Sequence, residues 1–107
     1  MKDTDAVQSL GALAHGVRLR VFRLLVVAGS TGLTPGALSE ATHVPATTLS
    51  FHLKELVRAS LITQEREGRH LIYRASFAHM NELLSYLTAH CCEGEACLDN
   101  VPVSCAC

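Results

Sequence analysis

LTPGALSEATHVPATTLSFHLKELVRASLITQEREGRHLIYRAS, residues 33–76, is the stretch that decides the fold. Thr34 is a good helix N-cap, and Pro35 suits the first helical turn, where its missing N–H costs nothing. A short helix is expected from about Pro35 to Thr42. His43-Val44 makes a turn, and Pro45 opens a second helix that runs to about Ala59. Leu49, Leu53, Leu56 and Val57 recur at helical spacing and form its buried side, while Thr47, Thr48, Ser50, Phe51, Lys54 and Arg58 fall around the opposite side. After Ser60 the period changes. Residues 61–66 and 70–75 are strand-like runs around Glu67-Gly68-Arg69, and a glycine between two such runs signals a hairpin. Two short helices joined by a tight turn and followed at once by a hairpin make a winged helix-turn-helix arrangement.

Outward from this block the pattern stays helical. Residues 4–14 place Val7, Leu10, Leu13 and Ala14 on one face. Residues 15–28 carry Val17, Val21, Leu24, Leu25 and Ala28 as a stripe flanked by Arg18, Arg20 and Arg23, and Gly29-Ser30-Thr31-Gly32 stops it. A last helix is expected from about Phe77, with Met80, Leu83, Leu84 and Leu87 at helical spacing, ending near Cys91. The fold class is therefore mainly α with a β-hairpin wing, about five helices and one two-stranded hairpin. Residues 1–92 are expected to form the folded domain and residues 93–107 a cysteine-rich tail.

Composition agrees with one domain of 107 residues whose core is aliphatic: 49% of residues are apolar, 5% are aromatic and none is Trp. The net charge of -1 argues mildly against nucleic-acid binding, although a duplex needs only local basic patches. The beginning of the chain lacks the pattern of a signal peptide, and its longest uncharged apolar stretch, Leu24 to Ala28, is far too short to span a bilayer. A cytoplasmic protein without a membrane partner is expected.

The second helix of the pair has what a DNA-reading helix requires. Thr47, Thr48 and Ser50 are short enough to let the helix sit deep in the major groove and to bond base edges and phosphates. His52 and Lys54 are expected to reach phosphates, and Arg66, Arg69 and His70 at the hairpin tip to follow the backbone beside the minor groove.

The blocks LGALAHGVRLRVFRLLVVAG, LSEATHVPATTLSFHLKELVRASLI and REGRHLIYRAS resemble the corresponding blocks of the arsenical-resistance repressor (ArsR/SmtB) family over roughly residues 6–90. Ser50-x-His52-Leu53 with Leu56 is the most specific piece. The resemblance implies a homodimer whose interface is built from the first and last helices. It also implies double-stranded operator DNA held by two recognition helices one helical turn apart. Gly16 departs from the family's usual Pro, Ser60 from its usual Gly, and Phe51 occupies a position that is often polar or basic. Many members hold their inducer with a Cys-x-Cys motif at the start of the helix before the recognition helix. Residues 38–43 contain no cysteine, so sensing must use other residues.

All five cysteines, Cys91, Cys92, Cys97, Cys105 and Cys107, lie at the end of the sequence. An odd, clustered set in a cytosolic chain reads as a metal site or redox sensor rather than a disulfide scaffold. Soft thiolates select trivalent arsenic, cadmium, copper(I) or zinc. Cys91, Cys92 and Cys97 supply the three sulfurs of a pyramidal trivalent arsenic site, and Gly94 lets the chain fold back on itself. The spacing also resembles the C-terminal arsenic site of one branch of the family. Zinc or cadmium remains an alternative, with His90, Cys105 or Cys107 as a fourth ligand. Two further readings stand beside these: oxidant or sulfur-species sensing by the same thiols, and a small thiol enzyme or metal-carrying protein on a helical scaffold.

Overall fold

The computed structural model describes residues 1–89. Five helices and one hairpin follow in the order α1 (Asp3–Leu13), α2 (Gly16–Ala28), a 3-10 turn (Gly29–Thr31), α3 (Pro35–Thr42), α4 (Ala46–Arg58), β1 (Ile62–Glu67), β2 (His70–Ala75) and α5 (Phe77–Leu87). Each start has a local cause. The His15 ring accepts the Val17 N–H ahead of α2, Thr34 Oγ1 accepts from the Ala37 N–H ahead of α3, and the Ser76 hydroxyl accepts from the His79 N–H ahead of α5. Pro45 precedes α4 in an extended conformation and offers no side-chain cap.

The core gathers where the sequence stripes meet. Val21, Leu25, Leu38, Leu49, Leu56 and Leu61 lose all their accessible surface, joined by Phe22 from α2 and Tyr73 and Ala75 from β2. Fully burying each such aliphatic side chain stabilises the fold by about 1.5–3 kcal/mol. The turn between α3 and α4 is tied by short polar bonds. Ser39 Oγ donates to the Val44 carbonyl at 2.6 Å, Thr42 Oγ1 donates to the Leu38 carbonyl at 2.8 Å, and Arg20 reaches across from α2 to the Thr42 carbonyl at 3.2 Å. His43 closes α3 in the left-handed region, at φ 59°. Ser60, at φ 64°, takes the same conformation after α4, which costs a non-glycine residue about 1–2 kcal/mol.

The hairpin is antiparallel, with Ile62 opposite Ala75 and Glu67 opposite His70. It has a third partner that alternation in the sequence does not announce: Leu33 exchanges two backbone hydrogen bonds of 2.9 Å with Tyr73. The Ser76 N–H bonds the Leu61 carbonyl at 2.9 Å and closes the base of the hairpin.

On α1, Ala6, Ser9 and Ala12 point inward, while Val7 and Leu10 of the expected apolar face are 69% and 43% exposed. Small inward residues let α1 lie close, and Ser9, fully buried, bonds the His79 ring of α5 at 2.8 Å. The expected end of the last helix is corrected: it ends at Leu87, short of Cys91, where Thr88 leaves helical geometry (φ −102°, ψ 4°) and the Ala89 N–H bonds the Tyr86 carbonyl at 3.2 Å in a tighter turn. Among the described residues, no helix is long and apolar enough to cross a membrane.

The Leu33–Tyr73 bridge requires a glycine beside it. At Gly32 (φ 69°) a Cβ would sit 2.6 Å from both the Ile72 Cγ2 and the Tyr73 carbonyl oxygen. Gly32→Ala combines a disfavoured backbone with a steric overlap and is expected to cost about 3 kcal/mol. Thermal melting should fall by more than about 10 °C; a variant that melts with the parent would contradict this account of the wing's anchorage.

Candidate nucleic-acid interface

The site is built on α4, whose two faces have opposite tasks. Leu49, Leu53 and Leu56 are locked into the core, so the helix cannot roll about its axis without exposing them. Thr47, Thr48, Ser50, Phe51 and Lys54 are thereby held outward. With no side-chain cap at Pro45, the first N–H groups of α4 have no capping side chain, and such a helix start suits a phosphate oxygen.

His52 does not share that outward face. It is 7% exposed, and its Nδ1 accepts a 3.1 Å hydrogen bond from Arg18 Nε on α2, while its ring lies 4.5 Å from that of His15. His52, expected to reach a phosphate, lies instead on the buried side of α4, three residues after Leu49 and four before Leu56, and the Arg18 bond satisfies it there. Arg18, which the sequence offered only as a flank of the α2 stripe, emerges as the link between α2 and the reading helix. Its guanidinium carbon also lies 5.6 Å from the centre of the Phe51 ring.

The wing carries three exposed positive or titratable side chains, Arg66, Arg69 and His70. Its two acids share one arginine within the hairpin. Arg74 pairs with Glu65 at 3.1 Å and Glu67 at 2.7 Å, and its Nε donates to the Ser30 carbonyl at 2.7 Å. This bonding holds the Glu67 carboxyl below its ordinary range. Among the described residues, neither Lys54, Arg66 nor Arg69 is paired with a carboxylate. The chain's slightly negative total thus coexists with a locally positive wing and α4. Alternation along β1 puts Arg66 with Gln64 on the face shared by Leu71 and Tyr73, and Gly68 (φ 66°) turns the tip before Arg69.

Cys91, Cys92 and Cys97 lie outside the described residues, as do His90, Cys105 and Cys107. Among the described residues, no group of three or more His, Cys, Asp or Glu side chains could hold a metal ion.

This arrangement matches known proteins. A family described as a helix-turn-helix domain matches residues 13–65. The arsenical resistance operon repressor of Bacillus subtilis is 35% identical over 96 residues, covering 84% of this chain and 88% of that protein. The chain belongs to the ArsR/SmtB family. The transcriptional repressor SmtB of Mycobacterium tuberculosis is 40% identical over 53 residues, half of this chain but only 39% of that protein's length. The homodimeric winged helix-turn-helix DNA-binding domain of a possible ArsR-family transcriptional regulator from Mycobacterium bovis superposes with a TM-score of 0.63 at 26% identity, covering 84% of this chain and 94% of that domain. The five helices and two-stranded wing are those of the ArsR/SmtB winged helix-turn-helix, and the family is one of transcriptional repressors, which sets the thiol-enzyme reading aside.

Burial, with smaller contributions from His15 and Arg18, lowers the pKa of His52 below its ordinary 6.5. An unfolded chain takes up this proton near pH 6.5 and the folded chain only at lower pH, so protonation favours unfolding. Stability is intact above pH 6.5 and declines as pH falls from there through the lowered folded value. Melting temperatures followed downward from neutral pH should show this decline, and His52→Gln should flatten it. An identical slope in the variant would contradict it.

Proposed function

We propose that this chain is a homodimeric transcriptional repressor that acts in the cytoplasm, binds double-stranded operator DNA through α4 and the wing, and releases it when trivalent arsenic binds Cys91, Cys92 and Cys97. The observation that carries the DNA reading is the division of α4. Its leucine face is fixed in the core, while Thr47, Thr48, Ser50 and Lys54 are presented outward beside a wing whose two acids are both engaged by Arg74. Thr47, Thr48 and Ser50 address base edges and phosphates in the major groove, and Lys54, Arg66, Arg69 and His70 address the backbone.

Dimerisation is supported by apolar surface that the described residues leave exposed. Val7 and Leu10 on α1 and Leu84 and Leu87 on α5 are between 43% and 69% exposed, and the Ser9–His79 bond joins the two helices. Solvating these side chains is unfavourable, and a second copy would cover them. The interface also supplies a route from sensor to reader. Only three residues separate Leu87 from Cys91, so over four steps of at most about 3.6 Å the Cys91 backbone is within roughly 14 Å of the end of α5. A ligand that gathers the thiols therefore acts next to a helix at the proposed interface, and a few kcal/mol of preference between two dimer geometries is enough to vacate an operator.

The choice of arsenic rests on the chemistry of the tail, which offers three closely spaced thiols without a Cys-x-Cys pair on α3, and on the likeness to a repressor named for arsenical resistance. The test is fluorescence anisotropy of a labelled operator duplex with reduced protein, titrated in parallel with arsenite, zinc, cadmium and peroxide. Micromolar arsenite should release the DNA, and Cys91→Ser and Cys92→Ser should bind DNA normally but resist release. Release by zinc or cadmium alone would transfer the site to those metals, and release by peroxide alone would make it a redox switch.

A further inference from the structure

Phe51 is the feature of α4 that neither the core nor the polar contacts absorb. Its ring is 56% exposed. On a helix its neighbours are the residues three and four positions away, so Thr47, Thr48, Lys54 and Glu55 surround it, with Ser50 adjacent in the chain and Arg58, which pairs with Glu55 at 3.8 Å, one further turn along. The one large apolar side chain of the outward face therefore sits at the centre of the polar stripe. It is separate from the uncovered apolar residues of α1 and α5, which belong to other helices.

The ring is also braced. It meets the buried His52 ring edge-on, with centroids 5.6 Å apart and planes at 70°, and the Arg18 guanidinium lies 5.6 Å from its centre. Arg18 is in turn fixed by its bond to His52 Nδ1, so one side of Phe51 rests on a held group while the rest of the ring stays open. A phenyl group can neither donate to a phosphate nor accept from a base amine. The apolar group that a base pair offers in the major groove is the 5-methyl of thymine. Glu55 is taken up by Arg58, and the remaining cations beside the ring, Arg18 and Lys54, favour a polyanion as the occupant of this surface over a second apolar protein face.

We infer that Phe51 is a specificity-determining residue that selects a thymine in each operator half-site by packing against its 5-methyl group. This rests on the DNA-reading assignment above and adds to it a base and an atom. The side chain touches DNA directly, and Arg18 acts as a positioning residue that sets where the ring stands.

The experiment removes only the methyl. Reduced protein selects sites from a random duplex pool. The thymines of the selected duplex are then replaced one at a time by deoxyuridine, which keeps every hydrogen-bonding group. With the parent protein, one thymine per half-site should prove sensitive, each replacement weakening binding about fourfold and the symmetric pair about fifteenfold, as expected for burial of one methyl per site. Phe51→Ala, which leaves the core untouched, should bind the same duplex with no difference between thymine and deoxyuridine. Indifference of the parent protein to every deoxyuridine, or retained sensitivity in Phe51→Ala, would overturn the inference while leaving DNA reading in place. Failure to enrich any duplex would overturn the DNA-reading assignment itself and this inference with it.

Discussion

The packing of α4's leucine face against α2 and the wing is the constraint on which the rest of the molecule depends. Leu49, Leu53 and Leu56 fit between Val21 and Leu25 of α2 and Leu61 and Ile62 at the root of the hairpin, and all are essentially without solvent contact. Close-packed aliphatic side chains resist rotation and sliding alike. Once they are placed, the outward residues have no freedom of azimuth. The Arg18–His52 bond adds a polar lock at the level of Phe51, and Arg20 fixes the end of α3 through the Thr42 carbonyl. Both arginines come from α2, which makes α2 the beam against which the reading pair is held. Among the described residues, every buried polar side-chain atom has a partner, so these locks carry no cost of unpaired desolvated groups.

Charge is arranged by local cancellation rather than by a basic total. Arg74 takes up both acids of the wing and simultaneously holds the Ser30 carbonyl, tying the hairpin to the loop after α2. The surface ion pairs contribute little to stability in themselves. Their consequence is electrostatic: Arg74 offsets part of the charge of Glu65 and Glu67, and among the described residues Arg66 and Arg69 form no ion pair. At the opposite functional end, uncovered apolar residues collect on α1 and α5, and the proposed sensing thiols follow α5 closely in sequence.

Much of this was legible from sequence because the signals were local. Thr34-Pro35 marked the start of α3, His43-Val44-Pro45 the turn, and the change of period after Ser60 the wing. What escaped depended on tertiary pairing. His52 looks like one more polar residue of a recognition helix until the Arg18 bond from α2 turns it into a buried joint. Leu33 gives no strand signal alone, since a two-bond bridge needs neither alternation nor length, although Gly32 beside it was a clue to close backbone approach. Val7 and Leu10 were correctly grouped as one apolar face, but periodicity does not say whether such a face meets its own core or a second subunit. The end of α5 was placed too far along because Leu83, Leu84 and Leu87 carry the helical period to the edge of the tail, and side-chain periodicity does not report that the backbone leaves the helix at Thr88. The cysteine cluster lies outside the described residues, so its chemistry rests on donor type and spacing.

The most direct test of the central claim, that α4 and the wing tip form a phosphate-contacting DNA surface, is the salt dependence of operator affinity for the parent protein and for Arg69→Ala. Each lost phosphate contact lowers the slope of log K against log [salt] by about 0.9, so an exposed arginine removed from both subunits should lower it by about 1.8. A slope reduced by that amount, with the same preferred sequence, is what the account predicts. A slope unchanged by the substitution would contradict it.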